Sequence, residues 1–518
     1  MLDLKITNGR VIDGSGSPWF RGDVGIRGNE IVAVGDLRDV EAASTIDAGN
    51  RVVAPGFIDL LSWAQSGVIG DPHLEAHVRQ GITTAIAGEG HSPAPRLASR
   101  VTRNEPWLTL GDFLDAVDRQ GSTINFALLV GASNPREMVI GDVNRVPTAA
   151  EMREMEAIVD QAMRDGAIGL STSLIYVPAM YSTTDEIANL ARVAAKHGGM
   201  YFSHIRDEGN RIDEALDEAF RIGRAANIPV NVWHLKIGGR PNWGKMPAII
   251  DRIAAEREKG LDVSANVYPY AASSTGLSTL APDWAMEGGY DDFRKRLTEP
   301  ESRAKIAEAL RGQVERRGPR GIYVAQVFNP AQKQYEKKFI EEIASSMTAT
   351  PEEALMTLFG ANELSPRVIY FSMNEDDVRH ALKTPWVSVC TDAGNPSASV
   401  RAENTSVHPR AYGTFPRVLG HYSRDEKLFS LEEAVRKITS QAALRAHIFD
   451  RGLLRPGMKA DVVIFDPETI RDVSTFEDPH HYSEGITDVV VNGVAVLRGG
   501  KMTGALSGKT IRGKGHRR

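Results

Sequence analysis

The sequence contains a single cysteine, Cys390, among its 518 residues. An intrachain disulfide is therefore excluded, which is typical of proteins from a reducing compartment, and we expect a cytoplasmic location. The chain also lacks any run of about 18 apolar residues, so we expect no membrane-spanning helix. Its first residues alternate as in a strand and lack the basic and apolar regions of a signal peptide, so we expect no export signal.

The sequence has no surplus of positive charge. Lys and Arg total 61 and Asp and Glu total 67, which gives a formal net charge of −6. Proteins that bind nucleic acid usually carry a basic stripe, so we expect no nucleic-acid partner. Only residues 509–518 are locally basic, and we expect them to form a solvated tail. Hydrophobic residues make up 42% of the chain, which suffices for a large core and for more than one domain.

Both ends of the chain are predicted to be rich in β-strands. Residues 4–14 alternate in polarity and contain Asn8-Gly9, a dipeptide typical of hairpin turns, and residues 23–35 repeat the pattern. Residues 460–466 and 487–497 are strand-like in the same way. The simplest interpretation is one small β-sandwich, built from residues 1–54 and residues 451–518.

The middle of the chain, residues 55–450, alternates predicted strands with helical patterns such as residues 149–165 and 212–226. Eight candidate strands lie at about residues 56–61, 82–87, 126–131, 168–173, 200–204, 230–234, 263–268 and 386–392. Eight such units predict an α/β fold, a (β/α)8 barrel. The connection between strands seven and eight is too long for one helix. We therefore predict an inserted subdomain at about residues 283–380, placed to cover the barrel mouth.

Four polar residues lie at the carboxyl ends of predicted barrel strands: Glu89, His204, His234 and Asp392. Those ends converge on one face of a barrel, where active sites are built. Two imidazoles and a carboxylate suit Zn²⁺ and leave a position for water, and a further carboxylate could take the proton of that water. Each residue alone has a structural alternative, such as a buried histidine, a surface turn at Glu89 or a helix N-cap at Asp392. Together they indicate a metal-dependent hydrolase.

Longer motifs surround these residues. They are residues 80–84 (QGITT), 201–209 (YFSHIRDEG), 229–236 (PVNVWHLK), 267–270 (VYPY), 391–394 (TDAG), 408–415 (HPRAYGTF) and 454–466 (LRPGMKADVVIFD). In combination they resemble the N-acyl-D-amino-acid deacylases, the D-aminoacylase family of amidohydrolases. The resemblance extends over nearly the whole chain and includes the spacing between His204 and His234.

The resemblance implies roles for individual residues. His204 and His234 resemble the histidines that hold a tightly bound zinc ion, and Glu89 stands where many family members have a metal-bound cysteine. Asp392 resembles the catalytic aspartate that deprotonates the metal-bound water and later protonates the leaving amine. The residues that resemble those holding the substrate's carboxylate are Lys236, Tyr176, Tyr268 and Ser274.

The end of predicted strand one departs from the amidohydrolase pattern. Amidohydrolases usually have His-x-His there, which binds a second metal, whereas this chain has Leu61 and Trp63. Neither side chain can ligate zinc. We therefore expect one tightly bound zinc ion per chain, with Trp63 filling space near it.

These observations predict zinc-dependent hydrolysis of the amide bond in N-acyl-D-amino acids or related carboxylated amides. The expected partner is a small molecule with a carboxylate. Two alternatives within the superfamily stay open, a dipeptidase for D-amino acids and a hydrolase of another amide or lactone. A third alternative is a non-catalytic barrel, but such a module has no need of Glu89, His204, His234 and Asp392 together.

Overall fold

The structure is a computed structural model that describes residues 1–517, and it begins with five strands of a terminal sheet. They are β1 (Leu2–Val11), β2 (Phe20–Arg27), β3 (Glu30–Gly35), β4 (Ala42–Asp47) and β5 (Val52–Pro55). The expected hairpin turn at Asn8-Gly9 is wrong, because β1 runs on to Val11. The register against β2 shifts between Ile6 and Gly9, and Asn8 has a positive φ of 58°. The dipeptide therefore produces a β-bulge inside one strand.

The next strands build the barrel, each close to its predicted position. They are β6 (Phe57–Ser62), β7 (Ile82–Ala87), β8 (Asn125–Leu128) with its continuation β9 (Val130–Gly131), β10 (Gly169–Ser173), β11 (Met200–His204), β12 (Val230–Val232) and β13 (Val263–Val267). All of their residues are buried, as expected for parallel strands covered on both faces. This continuous burial explains why the apolar runs were readable from the sequence.

Helices cover the outside of these strands. They are α1 (Glu75–Val78), α2 (Leu110–Gln120), α3 (Ser133–Val139), α4 (Ala149–Asp165), α5 (Thr184–Lys196), α6 (Ile212–Ala226) and α7 (Met246–Glu258). Helix α4 starts at a capping box in which Thr148 and Glu151 satisfy each other's backbone amides. Helix α6 buries Ile212, Leu216 and Phe220, one every fourth residue, so that a single apolar stripe faces the strands. Both helices span the residues that their periodicity predicted.

An insertion after β13 forms a subdomain with its own core. Its elements are β14 (Ser273–Gly276), α8 (Tyr290–Arg296), α9 (Pro300–Arg317), β15 (Ile322–Gln326), β16 (Lys338–Phe339), α10 (Ile340–Met347), α11 (Pro351–Ala361) and β17 (Arg367–Tyr370). The sheet order is β14-β17-β15-β16, and a separate apolar cluster fills the subdomain. Its first and last strands thus frame residues 273–370.

The eighth barrel strand, β18 (Val387–Val389), follows α12 (Glu375–Lys383), which packs on α7 and on β18. Strand β18 pairs with β13, and a bridge between Ser62 and Ala393 joins it to the first barrel strand. This bridge closes the ring, and the (β/α)8 fold is confirmed. The helices that follow are α13 (Ala398–Ala402), α14 (Arg410–Arg417), α15 (Leu431–Ile438) and α16 (Ser440–Arg445), with a π-helical segment, Val418–Asp425, after α14.

The C-terminal strands complete the terminal sheet. They are β19 (Val462–Phe465), β20 (Ile486–Val491), β21 (Val494–Arg498) and β22 (Lys501–Met502). Strand β19 pairs antiparallel with β5, so strands from both ends of the chain share one sheet, and the predicted β-domain formed by both termini is confirmed. No helix among residues 1–517 is both long enough and apolar enough to cross a membrane.

The expectation of a solvated basic tail is wrong for the described residues up to Arg517. The amide of Ile511 donates to the carbonyl of Phe126 on β8 at 2.7 Å, and the amide of Gly513 donates to the carbonyl of Gly166 at 2.9 Å. Thr510 and Arg512 bond to aspartates of α2. The basic residues therefore sit in a segment that is fastened along the barrel, and Arg518 lies outside the described residues.

Candidate metal centre and active site

Glu89 occupies a turn directly after β7, and it is buried rather than at the surface. Its neighbours Gly88 and Gly90 have φ values of 97° and 63°, which glycine adopts readily. A Cβ atom at residue 90 would lie 2.5 Å from the side chain of Ser173. The two glycines therefore allow the turn to pass close to β10 and to direct the Glu89 carboxylate inward.

The structure brings Glu89, His204 and His234 together. Oε1 of Glu89 lies 2.7 Å from Nδ1 of His204 and 3.0 Å from Nε2 of His234. One oxygen and two nitrogens of these residues lie within 4.8 Å of one another. Carboxylate and imidazole are ligands that zinc prefers in sites with three protein ligands. The donor set and its burial fit a zinc ion.

The charges around the imidazoles favour a cation at this centre. Burial tends to raise the pKa of Glu89, but hydrogen bonds from His204 and His234 hold the pKa well below its usual range. Burial and Lys236 tend to lower the pKa of His234. The carboxylates of Glu208 and Asp392 outweigh them and raise this pKa to about 9. The surrounding carboxylates therefore stabilise positive charge where a metal ion would lie.

Asp392 follows β18 in a left-handed conformation, with φ at 48°. Its amide donates to the carbonyl of Leu61 at 2.9 Å, which fixes the backbone. Nε1 of Trp63 donates to Oδ1 at 3.1 Å, and Nη1 of Arg410 lies 2.7 Å from Oδ2. The next helix begins only at residue 398, so an N-cap role does not apply. Both carboxylate oxygens instead face nitrogen donors inside the site.

Lys236 lies close to His234, but its position does not follow from side-chain alternation along a strand. Strand β12 ends at Val232, and His234 has a positive φ of 34°. The side chain of Lys236 nevertheless folds back, so that Nζ lies 2.8 Å from Nδ1 of His234 and donates to Oε1 of Glu208 at 2.5 Å. The ammonium group is therefore at the centre, but it already has a carboxylate partner.

The other predicted substrate residues are placed differently from one another. The ring of Tyr268 faces two cations, with Lys236 Nζ 5.5 Å and Arg410 Cζ 4.7 Å from the ring centre. The ring of Tyr176 lies edge-on to His204, with ring centres 5.6 Å apart. The hydroxyl of Ser274 donates to the carbonyl of Val368 at 3.0 Å. Two aromatic rings thus line the centre, whereas the Ser274 hydroxyl is engaged by the insertion.

Leu61 and Trp63 do not take equivalent places. Leu61 is fully buried in the apolar core, whereas Trp63 is partly exposed. The indole N–H of Trp63 is used by the Asp392 carboxylate. The residue that stands in the predicted second-metal position therefore contacts the predicted catalytic residue.

The site contains three ionisable residues that the sequence did not identify as functional: Glu208, Arg410 and Asp59. Glu208 and Arg410 lie inside the motifs at residues 201–209 and 408–415, and membership of these motifs could have indicated that they belong to the site. Asp59 accepts the amide and the hydroxyl of Thr391 at 2.8 and 2.5 Å. Burial raises the pKa of Asp59 to about 7, against the lowering effect of these hydrogen bonds. Asp59 thereby ties the first barrel strand to the turn that carries Asp392.

The chain is similar in sequence and in structure to known amidohydrolases. A model described as the amidohydrolase family matches residues 374–497. The chain is 34% identical to a D-aminoacylase of Alcaligenes xylosoxydans xylosoxydans, over 98% of this chain and 97% of the relative. A solved D-aminoacylase structure matches with a TM-score of 0.84 and 33% identity, over 99% of this chain and all of that one. That structure is described by a binuclear metal centre, with activation by one metal and attenuation by the second. The structure of an N-acyl-D-glutamate deacylase from Bordetella bronchiseptica matches with a TM-score of 0.85 and 32% identity over 99% of both chains. That protein is complexed with zinc and a phosphonate inhibitor that mimics the tetrahedral intermediate.

Proposed function

The chain belongs to the D-aminoacylase family of amidohydrolases, and on that premise we propose that it uses one zinc ion to hydrolyse the amide bond of N-acyl-D-amino acids. The observation that carries the proposal is the buried cluster of Glu89, His204 and His234, which offers three ligand atoms within 4.8 Å. Three protein ligands with a further position open are typical of catalytic rather than structural zinc.

One zinc ion is the stoichiometry that the residues support. Leu61 and Trp63 offer no ligand atom for a second metal, and Trp63 already donates to Oδ1 of Asp392. Arg410 faces the other oxygen of Asp392. A second cation would have to displace both donors, so we infer a mononuclear centre, unlike the binuclear centre named for the D-aminoacylase relative.

Zinc held by Glu89, His204 and His234 supplies a Lewis acid that polarises the amide carbonyl and makes water more acidic. Asp392 accepts a proton from the attacking water as the oxygen bonds to the carbonyl carbon. Asp392 then passes that proton to the nitrogen as the carbon–nitrogen bond breaks. Trp63 and Arg410 orient the Asp392 carboxylate during both transfers.

A negatively charged substrate suits the charges of the site. Three carboxylates (Glu89, Glu208 and Asp392) and two cations (Lys236 and Arg410) leave one net negative charge among these groups. A divalent zinc ion turns this balance into one net positive charge, and a substrate carboxylate would neutralise it. Lys236 is the proposed partner of that carboxylate through a charge-assisted hydrogen bond, and Tyr176, Tyr268 and Ser274 are proposed as its further contacts.

The test is deacylation of matched N-acyl D- and L-amino acids by zinc-loaded protein, with zinc-loaded Asp392→Asn as the control. We expect turnover of the D-compounds by the native chain and loss of that turnover in the control. Zinc-loaded protein that cleaves none of the N-acyl-D-amino acids would contradict the proposal. Preferential cleavage of D-containing dipeptides would instead favour the dipeptidase alternative.

We also propose a cytoplasmic location. Cys390 is buried and unpaired, and it is the one cysteine of the sequence. Chains without disulfides are usual in reducing compartments. Fractionation of the source cells, with antibody detection of the native chain, would test this location.

A further inference from the structure

We propose that Glu208 is a positioning residue shared by both metal-binding histidines, and that it links the metal centre to Lys236. The proposal rests on the metal site in the proposed function, and it assigns Glu208 no direct contact with metal or substrate. Carboxylates that accept the free N–H of a metal-bound histidine fix the orientation of its ring. Here one carboxylate would serve two rings.

Glu208 lies in the loop between β11 and α6, four residues after His204. Its backbone carbonyl accepts the amide of Gly238 at 2.7 Å, which joins this loop to the loop after β12. The side chain is 19% exposed. Backbone pairing thus holds Glu208 between the segments that carry His204 and His234.

The two oxygens of Glu208 face different histidines. Oε1 lies 3.1 Å from Nδ1 of His234, and Oε2 lies 3.6 Å from Nε2 of His204. Nζ of Lys236 donates to Oε1 at 2.5 Å. Among residues 1–517, Nε2 of His204 is buried without a hydrogen-bond partner, and Oε2 of Glu208 is a carboxylate oxygen that approaches it.

Each metal-binding histidine carries a proton on the ring nitrogen that does not bind the metal, and Glu208 is placed to accept from that nitrogen. A neutral histidine that offers one nitrogen to a metal carries its proton on the other nitrogen. The nitrogens that face Glu89 are Nδ1 of His204 and Nε2 of His234. The proton of each ring is then on the nitrogen that faces Glu208.

Lys236 cannot replace Glu208 in this arrangement. Nζ of Lys236 lies near Nδ1 of His234, but an ammonium group can only donate hydrogen bonds. A protonated Nδ1 needs an acceptor, and Oε1 of Glu208 is an acceptor at hydrogen-bonding distance. Oε1 of Glu208 can therefore accept from Nδ1 of His234 and from Lys236, whereas Oε2 faces Nε2 of His204 at 3.6 Å, beyond hydrogen-bond distance in this structure.

The test is zinc affinity, measured by competition between the metal-free protein and a chromophoric chelator, with no substrate present. Glu208→Gln should weaken zinc binding by about 10- to 100-fold, the usual effect of removing such a partner. Glu208→Asp keeps the charge and should recover part of the affinity. The matched control is Glu214→Gln on α6, an exposed glutamate paired only with Arg211 in the described contacts, which should bind zinc like the native chain.

An affinity of Glu208→Gln within about threefold of the Glu214→Gln control would overturn the proposal, because a shared acceptor should be worth more than that. If Glu208→Gln does not fold, Glu208→Ala is compared with the same control, and an affinity within about threefold of that control would also overturn the proposal. Because the assay contains no substrate, a failure to deacylate N-acyl-D-amino acids would count against the proposed function alone.

Discussion

Arg410 and Asp392 form an ion pair that is buried beside the metal centre, and removing Arg410 tests its energetic role. Their side chains are 6% and 11% exposed, and Nη1 of Arg410 lies 2.7 Å from Oδ2. Arg410→Met leaves the Asp392 carboxylate buried with Trp63 as its remaining donor in the described contacts. Breaking a buried ion pair at one partner typically costs about 3–5 kcal/mol of the free energy of unfolding.

The expected thermal shift follows from the size of the chain. With about 2.1 cal/mol/K of unfolding entropy per residue, a cooperative unit of 518 residues has roughly 1.1 kcal/mol/K. A loss of about 3–5 kcal/mol then lowers Tm by about 3–5 °C. Unfolding in smaller units would make the shift larger. Asp392→Asn in the Arg410→Met background removes the unpaired charge, so the double variant should be more stable than the sum of the single changes implies.

The assay is thermal unfolding of the metal-free native chain, both single variants and the double variant. A comparison pair is available at Arg379 and Glu426, which are 2.8 Å apart but 34% and 23% exposed. Arg379→Met should cost at most about 1 kcal/mol. Strictly additive shifts for Arg410→Met and Asp392→Asn would refute the reasoning, because they would show no coupling between the two side chains.

Other predictions concern proton transfer, substrate, pH and metal. Asp392→Asn should retain zinc and lose turnover by about 10²-fold or more, and near-native kcat would exclude it as the proton carrier. Lys236→Ala should raise KM more for carboxylated substrates than for their amides or esters, and equal losses would exclude the anchor. Because burial raises the pKa of Asp59 to about 7, the folded state holds this proton more tightly than the unfolded state, so stability should fall as pH rises from about 4 to 7. Asp59→Asn should flatten that part of the Tm–pH curve, and an unchanged slope would count against the shift. Elemental analysis should find about one tight zinc per chain, which chelation removes, whereas two tight ions would contradict the roles given to Leu61 and Trp63.

The sequence predicted the barrel because each of its strands is a short apolar run that is buried on both faces. It also indicated which polar residues follow those strands, and Glu89, His204 and His234 do lie together in the structure. It did not indicate the contacts of Asp59 with Thr391, because these residues are 332 positions apart and no local pattern reports such a pairing. The sequence did not indicate Glu208, in the loop after β11, or Arg410, at the start of α14, for a similar reason, since charged side chains are usually solvated.

The bulge at Asn8-Gly9 and the fastened C-terminal segment show the limits of local signals in another way. Asn-Gly favours positive φ, and a bulge meets that preference as well as a hairpin does. The basic residues at 509–517 resemble a tail by composition, yet their backbone amides find partners on the barrel. In both cases contacts with distant parts of the chain determined which of several locally allowed structures formed.

The C-terminal segment has a consequence for how the protein is made. Thr510 bonds to Asp118, 392 positions earlier, and Ile511 pairs with Phe126 on β8. A ribosome adds about 5–20 residues per second, so Asp118 and Phe126 are synthesised tens of seconds before Thr510 and Ile511. The contacts of residues 510–513 with the barrel cannot form until those residues leave the ribosome. An affinity tag is therefore better attached before Met1 than after Arg518, since a C-terminal fusion would extend directly from the segment that completes folding.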